Sequence, residues 1–160
     1  MSELVRAARE TDAPGMHDVH RRSWLETYAG LITTDAIEAR FRNADARIAR
    51  WGETIRSGSV IVAERDGRVV GWAITGSGRG DEPPRPLELE GIYLLAAAHG
   101  SGLGQALLDE AIGDRPAFLW VAEGNARAIA FYRRNGFDVD GARDEHRVGD
   151  EAIVVVRMVR

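Results

Sequence analysis

Residues 92–108, which read IYLLAAAHGSGLGQALL, indicate the fold more clearly than any other stretch of the chain. An apolar run typical of a β-strand enters a turn containing Gly100, Gly102 and Gly104, and an amphipathic helix follows. Because glycines carry no side chains, the backbone N–H groups of this turn can approach a ligand closely. The helix start adds unpaired donors and the positive end of a dipole. The segment is typical of a phosphate or pyrophosphate site, with a simple flexible turn as the alternative.

The glycine spacing excludes two common nucleotide-binding motifs. The turn reads Gly-x-Gly-x-Gly past mid-chain, whereas the dinucleotide fingerprint requires Gly-x-Gly-x-x-Gly after the first strand. A Walker A loop requires a lysine, and all 21 basic residues of this chain are arginine.

A second informative segment, residues 125–137, reads NARAIAFYRRNGF. Asn125 is a preferred N-cap residue and begins a predicted helix that runs to Arg134. Ala128 and Tyr132 are four residues apart and therefore share one helix face. Taken alone, the pattern fits a core helix with a tyrosine on its flank equally well.

The remaining chain alternates predicted helices and strands without repeats. Asp66-Gly67 is a strong two-residue hairpin signal between two β-branched runs, and residues 76–86, rich in glycine and proline, predict a mobile loop. Predicted strands cover residues 4–8, 59–64, 69–75, 87–95, 117–122, 137–141 and 151–159. Predicted helices cover about 13–28 and 103–112, with two shorter ones around Ile37 and Trp51. This order predicts an α/β (α+β) domain with a mixed sheet.

Composition narrows the class of protein further. A chain of 160 residues that is 44% hydrophobic and 29% charged is typical of one globular domain, here residues 1–160. The net charge of −4 gives no basic field for nucleic acid. No cysteine is present, which excludes disulfides and thiolate nucleophiles. No long apolar run or signal-peptide pattern occurs, so we expect a cytoplasmic protein without membrane contact.

The two segments together resemble the GNAT superfamily of N-acetyltransferases. That family carries Gln/Arg-x-x-Gly-x-Gly/Ala after its fourth strand and then Asn-x-x-Ala-x-x-Phe-Tyr-x-x-x-Gly-Phe. The first pattern is matched at Gly102 and Gly104, but His99 stands where the family has glutamine or arginine. The second is matched at Asn125, Ala128, Phe131, Tyr132, Gly136 and Phe137. The resemblance implies a GNAT fold, with a central sheet of about six to seven strands and a splayed β4/β5 cleft.

The resemblance also implies a site for acetyl-CoA, as co-substrate and without a metal. Main-chain groups near Leu94 and Leu95 would pair with the pantetheine amides, as an added strand pairs with a sheet edge. Backbone amides of the turn would hold the pyrophosphate, and Asn125 would bind the pantetheine arm. The implied cofactor residues are Leu94, Leu95, His99, Gly100, Ser101, Gly102, Leu103, Gly104, Gln105, Asn125, Ala128 and Tyr132.

Catalysis in this family implies an acid and a base on the chain. Tyr132 matches the family's general acid, which protonates the leaving thiolate. Glu88 matches the position of the general base, and Glu90, on the same strand face, is the second choice. A solvated strand face is the alternative for both. Without cysteine, the amine is expected to attack the thioester directly in a ternary complex.

The acceptor side is specified least. Trp24, Tyr28 and Glu90 are the candidate acceptor-binding residues, with burial in the core as the alternative for Trp24. His17 and His20 lack a third metal ligand, so surface histidines are expected. The acidic balance favours a cationic amine of a small molecule or peptide. The apolar run from Ile153 to Val156 could pair two subunits in a homodimer or be buried within the sheet.

Two further functions stay open at this stage. A non-catalytic acyl-CoA-binding or regulatory module could use the same fold, because fold does not fix activity. A toxin that acetylates charged tRNA is disfavoured by the negative net charge.

Overall fold

Seven strands form one mixed sheet, and five helices cover its two faces. The computed structural model describes residues 1–160. The strands are β1 (Glu3–Ala7), β2 (Val60–Arg65), β3 (Arg68–Ser77), β4 (Leu87–Leu94), β5 (Phe118–Ala122), β6 (Asp138–Val148) and β7 (Glu151–Val159). The helices are α1 (Ala13–Tyr28), α2 (Thr34–Arg40), α3 (Ala44–Arg56), α4 (Leu103–Ala111) and α5 (Ala126–Arg134). The strand order β1-β2-β3-β4-β5-β7-β6 gives the predicted mixed sheet.

The β2–β3 hairpin forms where the sequence predicts it. Asp66 and Gly67 have φ angles of +49° and +77°, the left-handed conformation that a two-residue hairpin turn requires. Val62 then pairs with Trp72, and Ala63 pairs with Gly71. This register sends alternate side chains to opposite faces of the sheet.

Each face of the sheet has its own apolar core. Val62 and Trp72 pack with Met16 and Val19 of α1 and Ile55 of α3. On the other face, the largest cluster joins the sheet to α4 and α5; its members include Ala63, Ala73, Leu89, Leu107, Leu108, Leu119, Tyr132 and Phe137. A third cluster joins α1 and α2 to β7 and contains Trp24, Ile32, Ile37, Phe41 and Ile153. At about 1.5–3 kcal/mol for each large apolar side chain, burial in these clusters stabilises the layers.

Strands β4 and β5 separate after a single contact. They are the only parallel neighbours in the sheet, and their one registered pair is Glu88 with Phe118. Beyond that pair, β4 continues to Leu94 without a hydrogen-bonded neighbour on its β5 side, whereas its other edge stays paired with β3. The predicted cleft between these two strands is therefore present.

The C-terminal strands differ from the sequence expectation. β6 extends to Val148 rather than ending at Gly141, and its pairing with β7 is irregular between Val139 and Arg143. Most residues of β6 are exposed, because it is the edge strand, so its sequence lacks the apolar alternation that marks a half-buried strand. β7 is paired on both sides, by β5 and β6. The apolar run within it is buried in the sheet and is not a free edge for a second subunit.

The segment between β3 and β4 is a loop, as predicted, and it is tied down by several contacts. The Gly78 amide donates to the Pro86 carbonyl at 2.8 Å, and Arg85 donates to the Arg160 carbonyl at 3.0 Å. A Cβ at Gly78 would lie 2.6 Å from the Arg85 carbonyl oxygen and 2.9 Å from the Phe118 ring, so only glycine allows this packing. None of the five helices has the length and apolar character needed to cross a bilayer.

Candidate active site

The turn before α4 has the backbone conformation that its glycines suggest. Gly100 and Gly102 have φ angles of +75° and +92°, which other residues rarely adopt. Gly102 is the N-cap of α4, and a Cβ at either glycine would meet no atom within 4 Å. The glycines are therefore required by backbone conformation and not by crowding from the protein, and one side of the turn is open.

Most backbone amides of this turn have no partner within the protein. The Leu103 amide donates weakly to the Ser101 hydroxyl at 3.3 Å, and the Ala106 amide makes the first bond within the helix, to Gly102 at 3.0 Å. No protein acceptor faces the amides of Gly100, Ser101, Gly102, Gly104 and Gln105. Such a group of free N–H donors at the start of a nine-residue helix suits an anion.

The side chains of the turn that were predicted to bind the cofactor form hydrogen bonds within the protein. The Ser101 hydroxyl donates to the Ala98 carbonyl at 2.7 Å and so braces the turn. Gln105 donates to Asp109 at 2.8 Å and to Asn135 at 2.7 Å. The His99 ring lies 2.9 Å from the Leu94 carbonyl oxygen, so it folds back onto the end of β4. Among the predicted ligand-binding groups of the turn, this geometry therefore favours the free backbone amides.

Leu94 and Leu95 differ in what their main chains can offer. The Leu95 amide donates to Val70 at 2.9 Å, and its carbonyl accepts from Ala98 at 2.8 Å, so both groups are already engaged. The main-chain N–H and C=O groups of successive strand residues point to opposite edges of the strand. Those of Leu94 therefore point away from β3, toward the cleft. This weighs against Leu95 as a pantetheine contact. Its neighbour Leu94 has its amide on the cleft side, while its carbonyl oxygen lies 2.9 Å from the His99 ring.

Asn125 caps α5, as its sequence position predicts. Its side-chain oxygen accepts from the Ala128 amide at 3.2 Å, and its backbone amide donates to Ala122 at 2.9 Å at the end of β5. The side-chain NH₂ group makes no hydrogen bond within the protein. Ala128 itself is partly buried beside the large apolar cluster. The cap thus leaves two amide protons at the mouth of the cleft.

Tyr132 lies in the apolar cluster beneath the cleft. It is 6% exposed and packs edge-on against Phe131 and Phe137 at ring distances of 5.4 and 5.9 Å. Burial, and after it the neighbouring phenol of Tyr93, raises the pKa of Tyr132 above its ordinary value. The phenol therefore stays protonated throughout the neutral range and can only donate a proton there.

Glu88 is held by an arginine from the loop. Its side chain is 1% exposed and accepts from the Arg79 guanidinium at 2.8 and 3.1 Å and from the Arg79 amide at 3.0 Å. A carboxylate with both oxygens engaged in a forked ion pair is poorly placed to take a proton from an amine. The structure thus weighs against the first choice of base.

Glu90 is more accessible than Glu88. It is the extra residue of a bulge, since Ile74 pairs with Gly91 and Thr75 pairs with Leu89. Its side chain is 26% exposed, and its carboxylate lies 3.6 Å from Arg79. A Cβ at Gly76 would lie 2.6 Å from its Oε1 atom, so glycine at that position leaves room for the carboxylate.

Aromatic side chains line the other side of the cleft. Tyr28 packs edge-on against Trp24 at 4.8 Å, and the Trp24 indole donates weakly to the Tyr93 hydroxyl at 3.4 Å. Burial, and after it the phenols of Tyr93 and Tyr132, raises the pKa of Tyr28. The Trp24 side chain thus contacts both Tyr28 and Tyr93, which belongs to β4. Trp24 is both a core residue, 3% exposed, and part of this wall.

The two histidines of α1 are buried, contrary to expectation. His17 and His20 are 8% and 7% exposed, and both rings meet Phe41 edge-on. Burial, and after it the charge of Arg40, lowers the pKa of His20 to about 3, so this ring is neutral at physiological pH. The sequence suggested solvated histidines, but aromatic side chains on α1, α3, β3 and β4 surround the His20 ring instead of water.

Sequence reasoning missed Tyr93, Arg79 and Arg40 at this site. Tyr93 could have been found as an aromatic residue near the end of β4, although the bulge at Glu90 disguises which face it occupies. Arg79 lies in a loop without a recognisable motif. Arg40 comes from a short helix, and only its tertiary neighbours, including Trp24 at 4.5 Å from its guanidinium carbon, distinguish it from a surface arginine.

A mixed sheet that opens between its parallel strands, with free amides at a glycine-rich helix start, defines an acyl-CoA-dependent transferase architecture. The model of the acetyltransferase (GNAT) family matches residues 16–137. The chain belongs to this family, and the predicted recognition, fold class and enzyme class are confirmed.

Individual relatives agree with this assignment. The chain is 34% identical over 141 residues to an uncharacterized N-acetyltransferase of Mycobacterium tuberculosis, covering 83% of this chain and 87% of the relative. It is 30% identical over 149 residues to an L-methionine sulfoximine/L-methionine sulfone acetyltransferase of Pseudomonas paraeruginosa, covering 88% and 83%. The PaiA N-acetyltransferase of Thermoplasma acidophilum, solved with coenzyme A, has the same fold, with a TM-score of 0.76 at 23% identity over 98% of each chain.

Proposed function

We propose that this protein transfers the acetyl group of acetyl-CoA to the primary amine of a small molecule or peptide. The observation that carries the proposal is the set of free backbone amides from Gly100 to Gln105 at the end of the open β4/β5 cleft. Family membership supports the reaction class. The Pseudomonas relative, named for L-methionine sulfoximine and L-methionine sulfone, supports a small-molecule acceptor.

In the proposed complex, the chain holds acetyl-CoA mainly through its backbone. The free amides of the turn bind the pyrophosphate, and the positive end of the α4 dipole favours its charge. The Leu94 amide binds the pantetheine arm along the unpaired edge of β4. The free NH₂ group of Asn125 binds the same arm from the β5 side. His99 steadies the end of β4 instead of replacing the family's glutamine or arginine at the pyrophosphate.

Three events complete the transfer, and the first and the last have a candidate group. Glu90, directly or through water, takes the proton from the amine; we prefer it to Glu88 because Arg79 occupies the Glu88 carboxylate. Freed of its ammonium proton, the amine nitrogen bonds to the thioester carbonyl carbon in a direct attack, and a second N–H proton then passes from the nitrogen to water. As the carbon–sulfur bond breaks, Tyr132 donates its phenol proton to the leaving thiolate. The chain's lack of cysteine leaves no thiol for an acetyl-cysteine intermediate.

The raised pKa of Tyr132 keeps a proton available for donation but also makes the phenol a weaker acid. Donation therefore requires direct hydrogen-bond contact between the phenol and the sulfur, and the proton must be regained from water or from the base after each cycle. Apolar packing around the ring excludes water and so strengthens the interaction between phenol and sulfur.

Calorimetry and a thiol-release assay test the proposal. We expect acetyl-CoA to bind with a micromolar dissociation constant, and free thiol to appear when a panel of amines, amino acids and peptides with free N-termini is added. Absence of acetyl-CoA binding at millimolar concentration would refute the proposal. Binding without thiol release for any amine would favour the non-catalytic acyl-CoA-binding module.

A further inference from the structure

The buried polar side-chain atoms that lack a hydrogen-bond partner all lie in one region. They belong to α1, α2 and α3, where these helices meet around Phe41 and Trp24. The atoms are His17 Nδ1, His20 Nδ1, Ser23 Oγ, Arg40 Nε and Arg47 Nε. Buried polar groups are nearly always paired, so a cluster of exceptions calls for a specific explanation.

Two of these atoms belong to cations that have no acidic partner. The guanidinium carbon of Arg40 lies 4.5 Å from the centre of the Trp24 ring, and that of Arg47 lies 4.7 Å from the centre of the Phe41 ring. Arg47 donates only to the Arg40 carbonyl, at 3.2 Å, and Arg40 donates to no protein group. In contrast, Arg21, at the surface of α1, forms a two-pronged pair with Glu38.

No carboxylate forms an ion pair with the positive charge of Arg40 or of Arg47. Burial lowers the pKa of Arg40 and of Arg47, but a guanidinium stays charged in proteins. His20 is neutral and contributes no opposite charge. A cavity of about 580 Å³ adjoins both arginines, and Arg147, Asp35, Asp150 and Glu151 also line it. None of its acids forms an ion pair with Arg40 or Arg47, and the Glu151 carboxylate accepts from the Thr33 amide and hydroxyl.

Arg40 also adjoins the aromatic side chains of the site. Its guanidinium stacks on Trp24, and Trp24 contacts Tyr28 and Tyr93. A small molecule bound at Arg40 would therefore lie one side chain away from these two tyrosines. Two partly buried guanidiniums stacked on aromatic rings bind a planar carboxylate well, because each presents its N–H donors in a rigid fork.

We propose that Arg40 and Arg47 form an anion subsite that binds the carboxylate of the acceptor, so that the acceptor is an amino acid. This inference rests on the proposed function and specifies its acceptor class. It replaces the expectation of a purely cationic amine, because the charge at the site, and not the net charge of the chain, selects the acceptor.

The test compares matched acceptors with matched variants. The twenty amino acids and their α-amides are assayed by thiol release with wild-type protein, Arg40→Met, Arg47→Met and Arg42→Gln. Arg42 is exposed and makes no side-chain hydrogen bond or ion pair, so its variant removes one nearby charge and leaves the subsite intact. Acetyl-CoA binding is measured by calorimetry for each protein, and circular dichroism verifies folding.

We expect wild type and Arg42→Gln to prefer at least one amino acid over its amide by about tenfold or more in kcat/KM, as charged hydrogen bonds permit. Arg40→Met and Arg47→Met should lose that preference, while affinity for acetyl-CoA stays within about twofold of wild type. If either variant fails to fold, Arg40→Lys, which keeps the charge but loses the fork, should weaken the preference.

Other outcomes separate the two proposals. Equal rates for acids and amides, or a preference that survives in both methionine variants, would overturn the subsite. A protein that binds acetyl-CoA and acetylates other amines but none of the twenty amino acids would also overturn it, while the proposed function stands. A protein that does not bind acetyl-CoA would refute the proposed function itself.

Discussion

The cleft has a proposed cofactor side and a proposed acceptor side, and the two are built from different parts of the chain. On the cofactor side, backbone amides from Gly100 to Gln105 face outward, and the side chains around them brace the turn. On the acceptor side, side chains from α1, α2 and β4 meet, and Trp24 contacts Tyr28, Arg40 and Tyr93. A site made of backbone needs only a certain chain conformation. A site made of side chains needs particular residues from distant parts of the sequence.

This difference separates substitutions by what they change. On the cofactor side, backbone distortion should weaken binding of acetyl-CoA with little effect on acceptor choice. On the acceptor side, side-chain changes should alter turnover and specificity with little effect on acetyl-CoA binding. Tyr132 lies between the two sides and gives the strongest test.

Tyr132→Phe removes the phenol proton and keeps the ring, and we expect the largest effect from it. If Tyr132 protonates the thiolate, kcat should fall by about 10²–10⁴-fold, while the dissociation constant for acetyl-CoA changes by less than about twofold. Thiol-release kinetics and calorimetry measure the two quantities. Phe131→Leu, a change on the same helix without a proton donor, is the control. Equal kcat for Tyr132→Phe and wild type would exclude Tyr132 as the acid.

The choice between Glu90 and Glu88 comes next in expected size. Glu90→Gln should lower kcat by about 10²-fold, the lower end for a lost general base, because water could partly replace it. Glu88→Gln should mainly loosen the Arg79 pair and lower the free energy of unfolding by about 1–2 kcal/mol.

Gly76→Ala tests the position of the Glu90 carboxylate without removing it. The new Cβ would lie 2.6 Å from Glu90 Oε1, so the flexible carboxylate must move while the fold is retained. We expect kcat to fall and the free energy of unfolding to stay nearly constant, as judged by urea denaturation. Loss of kcat in Glu88→Gln, with full activity in Glu90→Gln, would restore Glu88 as the base.

Gly102→Ala tests the cofactor side with a smaller expected effect. At φ +92° an alanine is strained by about 1–2 kcal/mol, and relief of this strain would move the neighbouring amides. We expect acetyl-CoA affinity to fall about tenfold, with an unchanged ratio of rates between acceptors. Gly52→Ala is the matched control, because Gly52 lies within α3 and its nearest obstacle is Arg56 at 3.8 Å. Unchanged affinity in Gly102→Ala would argue against a backbone-held pyrophosphate.

Most of the fold and the backbone conformation of the glycine-rich turn could be predicted from sequence because local signals determine them. Asp66-Gly67 specifies its hairpin by its own φ angles, and Asn125 caps α5 through a residue three positions away. The full length of β6 could not be predicted, because an exposed edge strand lacks apolar alternation. Leu95 was assigned to the cleft because sequence does not give the phase of hydrogen bonding, which alternates along a strand.

The acceptor side could not be predicted to the same extent because its contacts are long-range. Nothing local distinguishes the partly buried Arg40 from the exposed Arg42, which is two residues away. His20 has polar neighbours in sequence, yet in the fold its ring meets Trp24, Phe41, Trp51, Trp72 and Tyr93. Only the arrangement of three helices and the sheet determines whether such residues are buried.

The pH dependence of stability tests the acceptor side with the smallest expected effect. The pKa of His20 is lowered to about 3 by burial and nearby arginines, whereas an unfolded histidine has a pKa of about 6.5. Between these values the unfolded chain binds the proton and the folded chain does not, so stability falls as the pH falls below about 6.5. The expected loss is about 1 kcal/mol between pH 6.5 and 5.5. His20→Gln should show a shallower dependence in urea denaturation, while His99→Gln, at an exposed position, should retain it. An equal slope in wild type and His20→Gln would mean that His20 is hydrated and that the aromatic wall is looser than the structure shows.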